Sequence, residues 1–416
     1  MTTVRARLVL PLNQPPIEDG AVTIHNGRIA SVGSWDSYHA SASNTVIDLG
    51  SRILMPGLVN THCHLDYSNM AGKIPPPSDF PAWIKSILVL KSHWDYSDYA
   101  ESWLTGAAQA LHTGTTTLAD IEAVPELLPH VWESTSLRLI SLLEMTGVRS
   151  GQNPEATLSQ ALSFLNNLPR SSHRSLGLSP HAPYSTSAQL LRLTGLAAQE
   201  FNLPLAIHAA ESYEEFEMFM AGRGPLFDWL KSQRDMTACG LGSPIRYLHQ
   251  QGLLSPRLLA IHVNYLAPED LQLLVTNRVN VIHCPRSHRY FDHAPFPFQS
   301  MRDAGINICL ATDSLASIHK NQGQLPELNL FEELRAFTTT NPQIAPEEIL
   351  NMVTLNAAQA LGRQGELGEL RPNAHADLIA VPYNGNLSNC FDYLVNTIPT
   401  PDFIMIQGQT CVCPAS

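Results

Sequence analysis

The stretch Pro56-Gly57-Leu58-Val59-Asn60-Thr61-His62-Cys63-His64 ends a short apolar run with two histidines that flank a cysteine. Residues i and i+2 of a β-strand point to the same face, so the imidazoles of His62 and His64 can reach one ion. Cys63 then faces the opposite way, into the packing of the protein. A lone His-x-His pair is weak evidence, because two hydrogen-bonded polar histidines give the same pattern.

Seven further apolar runs follow this one, and segments of helical periodicity alternate with them. The eight runs end near His64, Asp120, Glu144, His181, His208, His262, His283 and Asp313. The helical segments include Ser187–Gln199, Pro268–Thr276 and Pro346–Leu361. This alternation predicts an α/β fold of the (β/α)₈ TIM type, in which the carboxyl ends of the strands converge on one face. Polar strand boundaries alone would explain one or two such ends, but five histidines favour a shared site.

Both ends of the chain are rich in β-formers. Near the start, Ala6–Pro11, Ala21–His25 and Arg28–Val32 read as strands, and Asn26-Gly27 between the last two is a hairpin signal. Near the end, Ala376–Val381 and Phe403–Gln407 read the same way. We therefore expect residues 1–56 and 366–416 to form a small β-sandwich domain around a catalytic barrel of residues 57–365.

Composition limits the class of function. The 416 residues are 44% hydrophobic and 15% charged, with a formal charge of −12, which indicates a globular protein and argues against nucleic acid as a partner. The chain has no apolar run long enough for a membrane span and no secretory signal, so a cytoplasmic location is expected. Its seven cysteines are scattered and odd in number, so free thiols are expected.

Two later motifs strengthen the metal hypothesis. His208-Ala209-Ala210-Glu211 places a histidine at a strand end and a carboxylate three residues on, and Asp313 ends another run. Neutral imidazoles with one carboxylate suit zinc or a similar divalent ion, with Fe²⁺ or Mn²⁺ as alternatives. Such an ion lowers the pKa of water toward neutrality and makes hydroxide available at ordinary pH.

The remaining polar strand ends can serve as acids and bases around that ion. Asp313 can take the proton of the water, and Glu211 can protonate a ring nitrogen and then a leaving amine. His262 can polarise the hydroxide or stabilise the oxyanion that develops.

Taken in order, four motifs resemble the amidohydrolase superfamily: Pro56–His64, Ser179-Pro180-His181-Ala182-Pro183-Tyr184, His208–Glu211 and Ala311-Thr312-Asp313. More narrowly, they are similar to its single-metal deaminase branch, which includes cytosine, guanine, S-adenosylhomocysteine and aminofutalosine deaminases. The resemblance implies one metal held by His62, His64, His208 and Asp313, with Glu211 and His262 as catalytic groups. Relatives with two metals carry a bridging lysine or glutamate on strand four, and Ser175–Ser179 offers neither.

The resemblance also points to substrate contacts at His181 and Trp83, each with a packing role as the alternative. Strand seven continues as His283-Cys284-Pro285-Arg286-Ser287-His288-Arg289, which looks like aminofutalosine deaminases, whose substrate carries a benzoate. Arg286 and Arg289 could hold such a carboxylate, or they could pair with acidic groups of the protein.

The leading hypothesis is hydrolytic deamination of an adenine-type nucleoside, a small heterocyclic amine, by a homodimer. Within this class, a nucleoside with a carboxylated tail, similar to aminofutalosine or S-adenosylhomocysteine, is the first choice. Hydrolysis of a cyclic amide or a ring C–Cl bond is a second possibility, although Glu211 argues against the latter because departing chloride needs no proton. A metal-bound barrel without catalysis is a third, and its sign would be the loss of Glu211, His262 or Asp313. All three residues are present.

Overall fold

The computed structural model describes residues 1–38, 45–148, 152–168, 171, 173–320 and 323–413. Its strands are β1 (Thr2–Val9), β2 (Ile17–His25), β3 (Arg28–Ser34), β4 (Thr45–Asp48), β5 (Arg52–Pro56), β6 (Leu58–Cys63), β7 (Thr115–Glu122), β8 (Arg138–Met145), β9 (Arg174–Pro180), β10 (Leu205–Ala209), β11 (Leu258–His262), β12 (Asn280–His283), β13 (Ile308–Leu310), β14 (Leu378–Pro382), β15 (Phe403–Ile406) and β16 (Gln409–Val412).

Most of the helices follow one of the strands β6 to β13 in the chain. They are α1 (Phe80–Lys91), α2 (Tyr96–His112), α3 (Leu128–Val131), α4 (Pro154–Asn167), α5 (Ala188–Glu200), α6 (Tyr213–Ala221), α7 (Pro225–Leu230), α8 (Pro244–Gln250), α9 (Asp270–Thr276), α10 (Pro285–Tyr290), α11 (Phe298–Asp303), α12 (Leu330–Thr340), α13 (Pro346–Asn351), α14 (Leu355–Ala360) and α15 (Cys390–Asn396). Among the described residues, none of these helices combines the length and the apolar character that a membrane span needs.

Strands β6 to β13 follow one another in a parallel sheet that closes into the predicted barrel. Asn60 joins the first strand to the last: its amide nitrogen donates to the Thr312 hydroxyl at 2.7 Å, and its amide oxygen accepts from the Thr312 backbone at 3.2 Å. The Asp313 N–H also donates to the His62 carbonyl at 3.3 Å. Closure therefore brings His62 and Asp313, which are 251 residues apart, to one rim.

A register irregularity in β6 decides which side chains enter the barrel. The pairing with β7 shifts between Asn60 and Cys63, which inserts one residue into the strand. Val59 accordingly packs in the barrel interior, whereas Cys63 packs with Leu65 and Trp103 under the helices. The expected outward orientation of Cys63 is thus confirmed.

The two ends of the chain meet in a second, mixed sheet, as expected. Its strands run in the order β16-β15-β14-β5-β1-β2-β3, with β4 beside β1, so they form one continuous hydrogen-bonded sheet. A buried ion pair at 2.9 Å between Arg138 of β8 and Asp377 fastens this sheet to the barrel. The proposed boundaries at 56/57 and 365/366 fall between β5 and β6 and between α14 and β14.

One predicted helix is wrong. The segment Pro346–Leu361 is two helices, α13 and α14, separated by a turn. In that turn the carbonyls of Met352 and Val353 accept hydrogen bonds from Leu310 of β13 and Val59 of β6. The turn satisfies backbone groups at the barrel seam, and this tertiary requirement overrides the helical periodicity.

Candidate active site

Four buried side chains converge at the rim where the barrel closes. His62 Nε2 lies 3.2 Å from Asp313 Oδ1, and His64 Nε2 lies 3.2 Å from His208 Nε2 and 3.9 Å from Asp313 Oδ1. Their relative exposures are between 0% and 6%. The structure therefore brings together all four residues predicted to hold a metal.

The protonation of two of these histidines fits a bound cation. The Nδ1–H of His208 donates to the His181 carbonyl at 2.9 Å, which leaves Nε2 with its lone pair directed at His64. Burial, reinforced by neighbouring imidazoles, lowers the pKa of both His64 and His208 well below the usual value. Two neutral nitrogens facing each other, next to a carboxylate, form a donor set that suits a divalent ion such as zinc.

Backbone strain is concentrated at the same rim. Ala210, His262 and Asp313 adopt positive φ angles of 48°, 72° and 56°, in the left-handed region that non-glycine residues rarely occupy. All three lie at the carboxyl ends of barrel strands, where the chain must turn to aim side chains at the axis. Strain of this kind persists where the surrounding structure fixes it, and it clusters at functional sites.

Glu211 and His262 lie side by side next to the metal ligands. Glu211 Oε1 is 3.5 Å from His262 Nε2, and both side chains are buried. Burial, with Asp313 and Glu215 nearby, raises the pKa of Glu211 well above its usual value, and burial lowers the pKa of His262. A carboxyl group with a raised pKa next to a neutral imidazole is an arrangement that can hold and deliver a proton.

Glu211 is also held firmly in place. Its N–H donates to Glu215 Oε2 at 2.9 Å, and its carbonyl accepts from Asn264 Nδ2 at 2.8 Å. These bonds tie the loop after β10 to α6 and to the loop after β11. They fix the position of the acid without using its carboxyl group.

A cavity of about 370 Å³ opens over this rim, a size that suits a small organic ligand. Seven of the predicted site residues line it: His64, Trp83, His181, His208, Glu211, His262 and Asp313. The His181 Nδ1 atom lies 2.6 Å from Ser185 Oγ, and burial lowers the pKa of His181 to about 4. The Trp83 ring packs against Phe80 and Phe291, and its Nε1–H donates to the Ala316 carbonyl at 3.3 Å.

The two arginines predicted to contact substrate lie elsewhere. Arg286 is buried and makes ion pairs with Glu332 and Glu333, and its Nη2 donates to the Glu327 carbonyl at 2.9 Å. Arg289 is exposed and lines a separate groove. Of the two roles left open for these arginines, Arg286 therefore has the second, because its guanidinium pairs with protein acids that come more than 40 residues later in the chain, and its assignment to a substrate carboxylate is corrected. The assignment of Arg289 stays a prediction.

We expect Arg286→Met to destabilise the protein by about 3–5 kcal/mol, because it leaves Glu333 buried without its partner. Burial raises the pKa of Glu333 to about 7, and Arg286 counteracts this rise. Without Arg286 the pKa rises further, so Glu333 stays protonated and uncharged up to a higher pH. The loss of stability should therefore grow as the pH rises through 7, which denaturant unfolding at pH 6 and pH 8 measures.

Arg289→Met is the matched control for this variant, with an expected change within about 0.5 kcal/mol because the residue is exposed. Neither substitution should raise the KM of the folded enzyme. A large KM increase in Arg289→Met would restore its role in substrate binding.

The cavity also contains three polar groups to which the sequence assigned no site role: Tyr67, Lys91 and Glu144, the last of which was named only as a strand end. Tyr67 stacks on the metal-site residue His64, with ring centres 5.2 Å apart, and its hydroxyl accepts from Lys91 Nζ at 2.7 Å. Lys91 follows Trp83 and Ile87 at four-residue spacing on α1, and all three line the cavity. That spacing was the available signal for Lys91.

Comparison with known proteins agrees with this geometry. The model of the amidohydrolase family matches residues 53–410. The chain belongs to the amidohydrolase family. The predicted family and barrel fold are thereby confirmed.

Individual relatives span nearly the same length. A 5-methylthioadenosine/S-adenosylhomocysteine deaminase of Syntrophobacter fumaroxidans is 29% identical over 381 residues, which cover 88% of this chain and 80% of the relative. Among solved structures, Helicobacter pylori aminofutalosine deaminase in complex with methylthio-coformycin has a TM-score of 0.85 at 20% identity, covering 99% of this chain and 100% of that one. An adenosine deaminase of Xanthomonas campestris with bound zinc has a TM-score of 0.84 at 20% identity, covering 99% and 93%. At this identity the two structures establish the shared fold.

Proposed function

We propose that this protein is a metal-dependent hydrolase that deaminates an adenine-type nucleoside. The observation that carries the proposal is the pair formed by Glu211 and His262, a carboxyl group with a raised pKa beside a neutral imidazole, next to a four-residue donor set for one ion. The names of the relatives, a 5-methylthioadenosine/S-adenosylhomocysteine deaminase and an adenosine deaminase, support the same substrate class.

The residues that would hold the ion are His62, His64, His208 and Asp313. Zinc is the ion of choice for three imidazoles and a carboxylate, and the adenosine deaminase of similar fold was crystallised with zinc. When bound, the ion lowers the pKa of a water molecule toward neutrality. Imidazole and carboxylate ligands also bind Fe²⁺ and Mn²⁺, so these ions are alternatives that a measurement of metal content can test.

The protein side chains manage the protons of the reaction. Asp313 accepts the proton of the attacking water, and Glu211 donates a proton to the ring nitrogen beside the carbon under attack. His262 directs the water toward that carbon. The Glu211 carboxylate then takes the proton of the hydroxyl on that carbon and passes it to the exocyclic amino group. The C–N bond breaks as the C=O bond forms and ammonia leaves, and the proton on Asp313 returns to Glu211. One water is consumed and one oxo group replaces one amine.

Trp83 and His181 are proposed to bind the base. Trp83 offers an aromatic surface at the cavity wall, and His181 is neutral because burial lowers its pKa to about 4. The Ser185 hydroxyl can donate to the Ala182 carbonyl at 3.3 Å and accept from Nδ1–H of His181 at 2.6 Å, and we propose this tautomer. The lone pair of His181 Nε2 is then free to accept a hydrogen bond from a base.

A substrate screen tests the proposal. Protein loaded with one equivalent of zinc is incubated with adenosine, 5′-methylthioadenosine, S-adenosylhomocysteine, guanine and cytosine, and ammonia and absorbance are followed. Deamination of one or more adenine nucleosides is expected. Hydrolysis of a ring C–Cl or cyclic amide substrate without ammonia release would favour the second hypothesis, and no turnover by metal-loaded protein would favour a non-catalytic barrel.

A cytoplasmic homodimer is part of the same proposal. Sedimentation equilibrium of the zinc-loaded protein should give twice the 45.7 kDa mass of one chain. Fractionation of cells that express the protein should recover it with other cytoplasmic enzymes.

A further inference from the structure

We propose that Glu144 and Lys91 form a subsite that binds the hydroxyl groups of the substrate's sugar. The inference rests on the proposed nucleoside deaminase function and specifies which part of the substrate contacts Glu144 and Lys91. It is carried by the position of the two groups, by their contacts and by the chemistry that can satisfy both at once.

Both groups reach the same cavity from different elements. Glu144 lies at the end of β8, and Lys91 is the last residue of α1. Each lines the cavity that contains Glu211 and Asp313, and each is only partly exposed. They are therefore placed to contact a ligand that also reaches the metal ligands.

Neither charge is neutralised by a close partner within the described part of the chain. The side-chain hydrogen bond of the Lys91 ammonium goes to the Tyr67 hydroxyl, at 2.7 Å, and not to Glu144. The Glu144 carboxylate and Lys91 still feel each other's charge through space. A carboxylate and an ammonium thus face one cavity with room for a polar group between them.

A hydroxyl is the group that satisfies both sides. Its oxygen accepts from the ammonium, and its hydrogen is donated to the carboxylate. An anionic group would pair with Lys91 but would be repelled by Glu144, and a cation would meet the reverse problem. An apolar group would leave both charges without partners, which is costly in a partly buried site.

Vicinal hydroxyls fit this pair better than a single one, because a carboxylate has two oxygens and can accept from both. The ring of Tyr67 contacts both His64 and Lys91. It stacks on His64 at 5.2 Å, and the Lys91 ammonium lies 4.9 Å from the centre of the same ring. A nucleoside with its base at the metal ligands would thus present its sugar to Lys91 and Glu144.

This assignment alters the expected substrate. Arg286 and Arg289 lie outside the cavity. Among the described residues that line it, Lys91 is therefore the cationic group, apart from any protonated histidine, and Glu144 lines the same cavity. The pair selects a neutral tail with hydroxyls over a carboxylated one.

The test compares substrates with and without hydroxyls on full-length, zinc-loaded protein. For the wild type we expect kcat/KM for adenosine to exceed that for 2′,3′-dideoxyadenosine by about 100-fold or more, because a site built for a hydroxyl rejects the analogue without it. Glu144→Gln should lower kcat/KM for adenosine by about 100-fold, mainly through KM, and should reduce the discrimination to a few-fold. Lys91→Met should act in the same direction, and the inhibition constant of the product inosine should rise in parallel.

Glu133→Gln, an exposed glutamate before β8, is the matched control and should behave as wild type. Melting temperature and zinc content verify that each variant is folded and loaded. A folded Glu144→Gln protein that keeps the full discrimination overturns the subsite, as does a wild type that deaminates both nucleosides equally well. If the wild type deaminates no adenine nucleoside, the proposed function itself fails.

Discussion

Replacing Glu211 with glutamine is expected to lower the kcat of deamination by about a thousandfold, within the range that a positioned acid or base contributes. Glutamine keeps the size of the side chain and its amide can still contact His262, but it has no proton to transfer. Because the Glu211 side chain is not among the four metal ligands, zinc content should stay at the wild-type level. The decisive measurement is kcat by ammonia release, together with zinc content on the same sample.

Glu217→Gln on helix α6, which follows Glu211 in the chain, is a suitable control. Its carboxylate pairs with Arg223 at the surface and does not line the cavity, so kcat should not change. The shuttle role would be refuted by a Glu211→Gln protein that releases ammonia at the wild-type rate. A large loss of zinc in that variant would instead show that Glu211 belongs to the ligand set.

The metal site was accessible from the sequence because it depends on local rules. His62 and His64 share a strand face by alternation, and His208 and Asp313 end later strands whose carboxyl ends must converge in a parallel barrel. The inserted residue in β6 was not visible in this pattern. The irregularity falls between Asn60 and Cys63 and so includes His62, yet both histidines still reach Asp313 Oδ1, His62 Nε2 at 3.2 Å and His64 Nε2 at 3.9 Å.

Arg286 shows where such reasoning stops. Its position after strand seven is correct, but a partner for a buried arginine is a tertiary fact. Glu332 and Glu333 lie on α12, and nothing in the local sequence says that this helix packs against α10. An arginine at this position can direct its guanidinium toward the barrel axis or away from it, and its place in the sequence is the same in both cases. The sequence therefore left both roles open.

The split of α13 from α14 has a similar cause. The apolar pattern over Pro346–Leu361 is helical, but the seam of the barrel needs acceptors for the N–H groups of Leu310 and Val59.

Lys91 is the opposite case, since its helical spacing from Trp83 could be seen in the sequence. It was missed because a single lysine at the end of a helix is also the ordinary way to complement the helix dipole.

Removing a metal ligand should have the other large effect. In His208→Ala we expect zinc affinity to fall by at least about 100-fold, since the loss of a mere outer-shell partner already costs 10–100-fold. Deamination should fall to near background at zinc concentrations that saturate the wild type. Affinity is measured by competition with a chelator, and activity is measured in the same buffers.

Thermal stability separates a lost ligand from a damaged fold. A ligand that binds only the native state stabilises it, by about 4 kcal/mol at a thousand times its Kd, so zinc should raise the Tm of the wild type and of the exposed control His249→Ala. His208→Ala should lose most of this rise. The substitution removes one of two neutral nitrogens that face each other at 3.2 Å, so the metal-free form loses no charge–charge attraction. The electrostatic contribution to the stability of the metal-free form should therefore change little. A zinc-dependent rise of the wild-type size in His208→Ala would show that the ion is held without this histidine, and the ligand assignment would then be wrong.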